Sequence, residues 1–221
     1  MAYHFDWSVI ARNAGRLLDS LALGLGLAVV SLIIGSLLGL AAAYARLSGK
    51  RWLAGPVRAY VEFVRCTPLL LLIFFVYFGL PEFDVTVFDK TQSFVLTLSL
   101  YAAAYLCEVF RSGLASIPQP YVEAAKAIGL RPWQRQLYVV LPVMVRITLP
   151  AVSNNLISLF KDTSLAAAIA IPELTFTARQ INANTFRVME VWLTASALYL
   201  ATTYLIATGL RLVERRYAAI R

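Results

Sequence analysis

Histidine, cysteine and charge are all scarce in this chain, and each scarcity removes a class of function. The lone histidine, His4, stands near the amino terminus. Paired histidine ligation of a haem within the chain is therefore unavailable, which argues against a membrane anchor of a respiratory complex. The two cysteines, Cys66 and Cys107, lie far apart inside apolar runs, not in a metal-type or CxxC spacing, and read as small packing residues. No GxxxxGK[ST] phosphate loop occurs, so the chain has no nucleotide site of that kind. No catalytic residue set and no metal site emerge.

Charged residues make up only 14% of the 221 residues, while 60% are hydrophobic. Soluble chains usually carry about a quarter and about a half, respectively. Water is not the main solvent here: the chain reads as an integral membrane protein. Lys and Arg number 20 against 12 Asp and Glu, a formal +8. In a soluble chain that excess would raise nucleic acid as a partner. Here the basic residues fall between apolar runs and read as charges that orient the chain in a bilayer, so no nucleic-acid partner is expected.

Leu21 to Ala45 carries no charge, and at about 1.5 Å per residue it is long enough to cross a hydrocarbon layer of about 30 Å. It is too long for a cleaved signal and follows a polar, mixed-charge segment. Gly35 and Gly39, four apart, open a face to close helix approach. A second apolar stretch runs from Val57 to Leu80, with Arg58, Glu62 and Arg65 placed to share a helix face and neutralise one another. A third runs from Ser93 to Val109 and closes on Glu108 and Arg111. A fourth covers Leu137 to Phe160 and carries Pro142, Arg146, Pro150, Asn154 and Asn155, interruptions that call for a protein-lined cavity. Ser164 to Pro172 is too short to cross and reads as re-entrant or interfacial. Val191 to Leu210 is the fifth span, and 161–190 otherwise resists assignment.

Five spans put the termini on opposite sides. The basic connections Arg46–Arg58, Arg111–Arg135 and Arg211–Arg221 then share one face, expected to be cytoplasmic, with the amino terminus and the acidic loop around Asp84 and Asp89 outside.

The segment from Ser112 to Gln136 contains Pro118, Pro120, Gly129 and Pro132 and therefore forms a loop or a pair of short helices. Within it, Glu123-Ala124-Ala125-Lys126-Ala127-Ile128-Gly129 reads as a short helix that Gly129 ends in a left-handed conformation, after which Pro132 starts another. Ala124 and Ala125 permit close approach of a partner.

Glu123-Ala124-Ala125, Gly129 and Leu141-Pro142 match in order and spacing the cytoplasmic-loop motif of permease subunits of ATP-binding-cassette importers, and the chain resembles those for polar amino acids. Tyr60, Arg65, Thr67, Pro68 and Leu69 resemble the family's Arg-Gly-Thr-Pro-Leu segment, with Cys66 in place of glycine. Tyr77 to Pro81, Ala104-Tyr105 with Glu108 and Arg111, and Asn154 through Leu165 also follow this subgroup. Pro120-Tyr121 departs from its usual Gly-Gln.

The resemblance implies an all-α membrane protein with about five transmembrane helices (the type I importer permease fold), a single permease domain over 1–221, and a coupling loop near 117–136. Its coupling residues would be Glu123, Ala124, Ala125 and Gly129. It implies a second permease subunit, the same chain or a homologue, and an ATPase dimer that holds ATP and Mg. A periplasmic or tethered binding protein would deliver a polar amino acid across the bacterial inner membrane. Candidate residues for the translocation path are Arg65, Thr67, Glu108, Asn154, Asn155, Lys161, Asp162, Thr163 and Ser164. The adjacent charges of Lys161 and Asp162 would serve the two ends of a zwitterion. A secondary transporter or channel is the alternative, since intramembrane charges can also build an ion pathway.

Overall fold

A computed structural model describes residues 3–218, which fold into helices with no strand among the described residues. Four helices are long and apolar enough to cross a membrane, and a bent helix pair supplies a fifth crossing if counted as one span.

Helix α1, Ser8–Leu47, has 40 residues and is about 60 Å long, twice the hydrocarbon thickness. The polar lead-in to the expected span is thus helical as well. Charges such as Arg12 and Asp19 keep that part out of lipid but do not break a helix. Its buried residues, Val9 and Leu17, supply a small second core at this end.

Helix α2, Arg51–Cys66, buries only Val61 and Val64. At Thr67 the chain turns extended, φ −105° and ψ 133°, because Pro68 disfavours helical geometry in the residue before it. Helix α3, Leu69–Phe74, follows, opens into one wide turn over Phe75–Gly79 and tightens over Leu80–Phe83. The path bends by 110° between the two arms. The Val57–Leu80 stretch is therefore an elbow and not one rod. The expected charge trio is also divided. Arg58 pairs with Glu62 at 2.8 Å on an exposed face, while Arg65 turns to Tyr105.

Helix α4, Lys90–Ala115, starts with a capping box in which the Gln92 N–H donates to Asp89 Oδ1 at 2.8 Å and the Asp89 N–H donates to Gln92 Oε1 at 3.1 Å. It is the most buried of the candidate spans and packs along α1, where Gly35 and Gly39 lie against the Cβ atoms of Ala102 and Leu106 and the backbone of Ser99, Ala103 and Cys107. Tyr60 donates its hydroxyl to the Leu100 carbonyl, fastening α2 to α4. Cys107 is buried in this core as expected; Cys66 is exposed, because the elbow carries it out of the packing.

Helices α5, Gln119–Ala127, and α6, Pro132–Arg135, form the turn between α4 and α7. A wide turn over Gln136–Val140 leads into α7, Leu141–Asp162, and relieves the crowding that the Pro142 ring would impose on the preceding turn. The helix then tightens over Thr163–Ile169 and stops at Ala170, φ 57°. The fourth span accordingly runs over Pro132–Ile169. Residues Ser164 to Ile169, expected as part of a separate re-entrant or interfacial piece, are the tightened end of that rod. The unassigned stretch holds α8, Leu174–Thr185. Helix α9, Val188–Ala218, contains the expected fifth span.

Candidate functional site

The turn between α4 and α7 has the geometry its sequence dictates. Gly129 has φ +77°, the Leu130 N–H donates to the Ala125 carbonyl at 3.1 Å, and the Gly129 N–H donates to the Lys126 carbonyl at 2.9 Å. These two bonds form a Schellman ending, which a left-handed glycine permits without steric cost. Glu123, Ala124 and Gly129 are exposed, whereas Ala125 is buried and packs α5 onto its own chain. Only one of the two alanines is thus free for a partner. Around them Tyr121, Ile128 and Trp133 are exposed, Ile128 at 76%, leaving an apolar knob beside a carboxylate.

A second feature lies between α4 and α7: a polar pocket of about 390 Å³, open to the surface at the exposed Asn154 and Ser158, and lined also by Tyr101, Tyr105, Asn155 and Asp162. Helical period explains the lining, since Tyr101 and Tyr105 are four apart and Asn154, Ser158 and Asp162 repeat the same step. The Tyr101 hydroxyl donates to that of Tyr105 at 3.2 Å, and Asn155 Nδ2 donates to the Ala151 carbonyl at 2.9 Å. The Arg65 guanidinium lies 5.3 Å from the Tyr105 ring centroid, a cation–π contact. The pocket therefore holds hydroxyl, amide and carboxylate groups with a cation at its edge.

Of the nine path candidates, Asn154, Asn155 and Asp162 line this pocket and Arg65 stands beside it. The others are placed elsewhere. Thr67 Oγ1 donates to the Phe63 carbonyl at 2.7 Å and ends α2. Glu108 binds Arg46 and Arg111, the latter at 2.9 Å, and so joins α1 to α4. Thr163 is buried, its hydroxyl donating to the Phe160 carbonyl at 2.7 Å where α1 passes at Gly24. Ser164 is half-buried beside it. Lys161 is exposed and makes no ion pair with Asp162, because successive helical residues point in different directions. Lys161 does not line the pocket, so the expected two-charge arrangement is divided between two surfaces.

Sequence reasoning passed over two buried carboxylates. Glu173, fully buried, caps α8 by accepting from the N–H groups of Thr175 and Phe176 at 2.9 and 2.8 Å, and accepts from the Tyr199 hydroxyl of α9 at 2.8 Å. Burial raises its carboxyl above the ordinary range, and those hydrogen bonds oppose the shift. Glu190 accepts from the Tyr3 hydroxyl and from the Asp6 N–H, and Arg187 donates to the His4 carbonyl at 2.9 Å. Together these bonds latch the amino-terminal segment to the start of α9. The signal available in the sequence for Glu173 was its place just before an N-terminal helix turn. No cluster suited to a metal ion exists among the described residues.

Residues 32–219 match the family described as binding-protein-dependent transport system inner membrane component. The glutamine transport system permease protein GlnP of Escherichia coli (strain K12) is 36% identical over 214 residues, covering 96% of this chain and 97% of that protein. The probable amino-acid ABC transporter permease protein YckA of Bacillus subtilis (strain 168) is 32% identical over 216 residues, covering 98% and 95%. Among solved structures, an amino acid ABC transporter crystallised with histidines superposes with a TM-score of 0.87 at 27% identity, covering 97% of this chain and 100% of that one.

Proposed function

The chain belongs to the family of binding-protein-dependent transport system inner membrane components, and from that premise we propose that it is the permease subunit of an ATP-driven importer of a polar amino acid. A second permease subunit, identical or homologous, completes the pathway. An ATPase dimer on separate chains binds ATP and Mg and docks on the α5–α6 turn, and a periplasmic or tethered binding protein delivers the substrate. The amino terminus lies outside and the carboxyl-terminal end, which extends past the described residues, lies in the cytoplasm.

The observation that carries this reading is helix α5, Gln119–Ala127, which presents Glu123 and Ala124 to the surface, is closed by the left-handed Gly129 and is set between two spans. Helix α5 follows α4 directly, and α6 leads into α7, so a push on this turn acts on both walls of the polar pocket. Asp162 would receive the ammonium group of the amino acid. Tyr and Asn donors, with Arg65 at the edge, would receive its carboxylate. Lys161 has no part in this arrangement. A channel or secondary transporter would need no such turn.

Purification from native membranes, with every associated chain identified, followed by reconstitution, tests the reading. An ATPase and a binding protein should accompany the permease, and amino-acid uptake should require ATP. A lone oligomer that transports without ATP would refute it.

A further inference from the structure

Three arginines stand at the end of the molecule opposite the coupling turn. Arg12 and Arg16 stand one turn apart on α1, Arg179 stands on α8, and all three are exposed. Arg16 Nη2 donates to Gln180 Oε1 at 3.3 Å, which ties the α1 pair to α8 at the residue that follows Arg179. None of the three forms an ion pair among the described residues.

Of the nearby acidic groups, Asp6 feels the charge of Arg12 without forming an ion pair with it. Asp6 accepts from the Ser8 hydroxyl at 2.6 Å and the Ser8 N–H at 3.1 Å, and lies 4.0 Å from Arg187; Glu190 is enclosed by the amino-terminal segment. Asp19, three residues past Arg16, is exposed and makes no pair with it. The other cations at this end have structural work: Lys90 donates to the Ala170 carbonyl at 2.8 Å, and Arg187 holds the latch.

The arginines stand on a rigid base. Val9, Leu17, Leu174, Ala178 and Ile181 pack α8 onto α1 in a core separate from the main one, and the Arg179 guanidinium lies 5.7 Å from the Phe176 ring centroid. Basic residues are normally concentrated at the cytoplasmic face, so an unmatched trio at the other end calls for a partner. Arg12 precedes Leu21, the first residue of the uncharged run, by nine positions, about 14 Å along a helix. The headgroup layer on each side is only about 5–8 Å thick. Arg16, about 7.5 Å before that run, stands at the outer edge of this layer and Arg12 stands beyond it, so the patch faces water and fits a soluble, acidic surface.

We propose that Arg12, Arg16 and Arg179 form the docking surface for carboxylates on the amino-acid-binding protein. This rests on the outward orientation and binding-protein partnership proposed above. Exposed charges of this kind act chiefly through encounter rate and register, and their effect is screened by salt.

The test uses the whole complex in nanodiscs of stated lipid composition, titrated with the co-purifying binding protein, purified and loaded with its amino acid. The triple variant Arg12→Glu/Arg16→Glu/Arg179→Glu should raise the concentration that half-saturates ATPase stimulation by about tenfold or more at low salt. Basal ATPase activity and assembly should be unchanged, and the gap should narrow at about 0.5 M salt. The charge-preserving triple Arg→Lys variant should stay near wild type, which separates docking from misfolding. Equal half-saturation in the Glu variant and wild type would overturn the proposal, as would a defect that follows the anionic-lipid content of the nanodisc and not the binding protein. A wild-type complex that no binding protein stimulates would instead defeat the functional reading, and this proposal with it.

Discussion

A Cβ placed on Gly35 of α1 would stand 2.6 Å from the Cβ of Ala102 on α4, so these two helices touch through a position that only glycine fills without displacement. Gly35→Val should lower the thermal stability of the purified complex by about 1–3 kcal/mol or prevent its assembly. Gly26→Val, where nothing lies within 4 Å of the added atom, should leave the melting temperature close to wild type.

Gly129 has open space around it but a φ of +77°, so its constraint is conformational. Gly129→Val should cost about 1–2 kcal/mol locally and impair transport and transport-coupled ATP hydrolysis while the subunit still inserts. Gly129→Asn, which tolerates the left-handed region, should recover most of both activities.

Asp162 lines the pocket and Lys161 does not. Asp162→Asn should weaken amino-acid binding to the assembled permease by about tenfold, whereas Lys161→Met should bind as wild type. Equal losses in the two variants would return the pair to a shared role.

In a background lacking Cys66 and Cys107, single cysteines at Lys50, Lys126 and Arg216 should react only with reagent applied from the cytoplasm. Asp84→Cys should react only from outside. Labelling of position 84 from the cytoplasm would reverse the assigned orientation.

Burial raises the Glu173 carboxyl above its ordinary value of 4.5, so the folded chain holds that proton more tightly than the unfolded chain. The stability this group contributes is full below about pH 4.5 and declines as pH rises through the raised value. Glu173→Gln should flatten the corresponding fall in melting temperature.

The spans and the geometry of the α5–α6 turn were legible because each rests on local chemistry: uncharged runs of membrane length, and a glycine followed by a proline. Helix α1 was read short because Arg12 and Asp19 mark the end of lipid, not the end of the helix. The Thr67–Pro68 irregularity was visible, but its 110° angle depends on what each arm packs against. Asn154, Asn155 and Asp162 were found as polar residues in an apolar span. Their partners Tyr101 and Tyr105 were not identified as pocket residues, because tyrosine in a span is unremarkable until a second helix faces it. Lys161 was joined to Asp162 by adjacency in sequence, and helical geometry separates them.

Pro150 sits inside α7 between the basic end and the pocket residues. Having no N–H, it leaves the Arg146 carbonyl without the usual helical donor, so bending there costs less than at neighbouring turns. A rod with one compliant joint need not transmit a displacement unchanged along its length. Movement imposed at α6 would reach Asn154, Ser158 and Asp162 partly as a change of angle, altering which way the pocket faces as well as how wide it is.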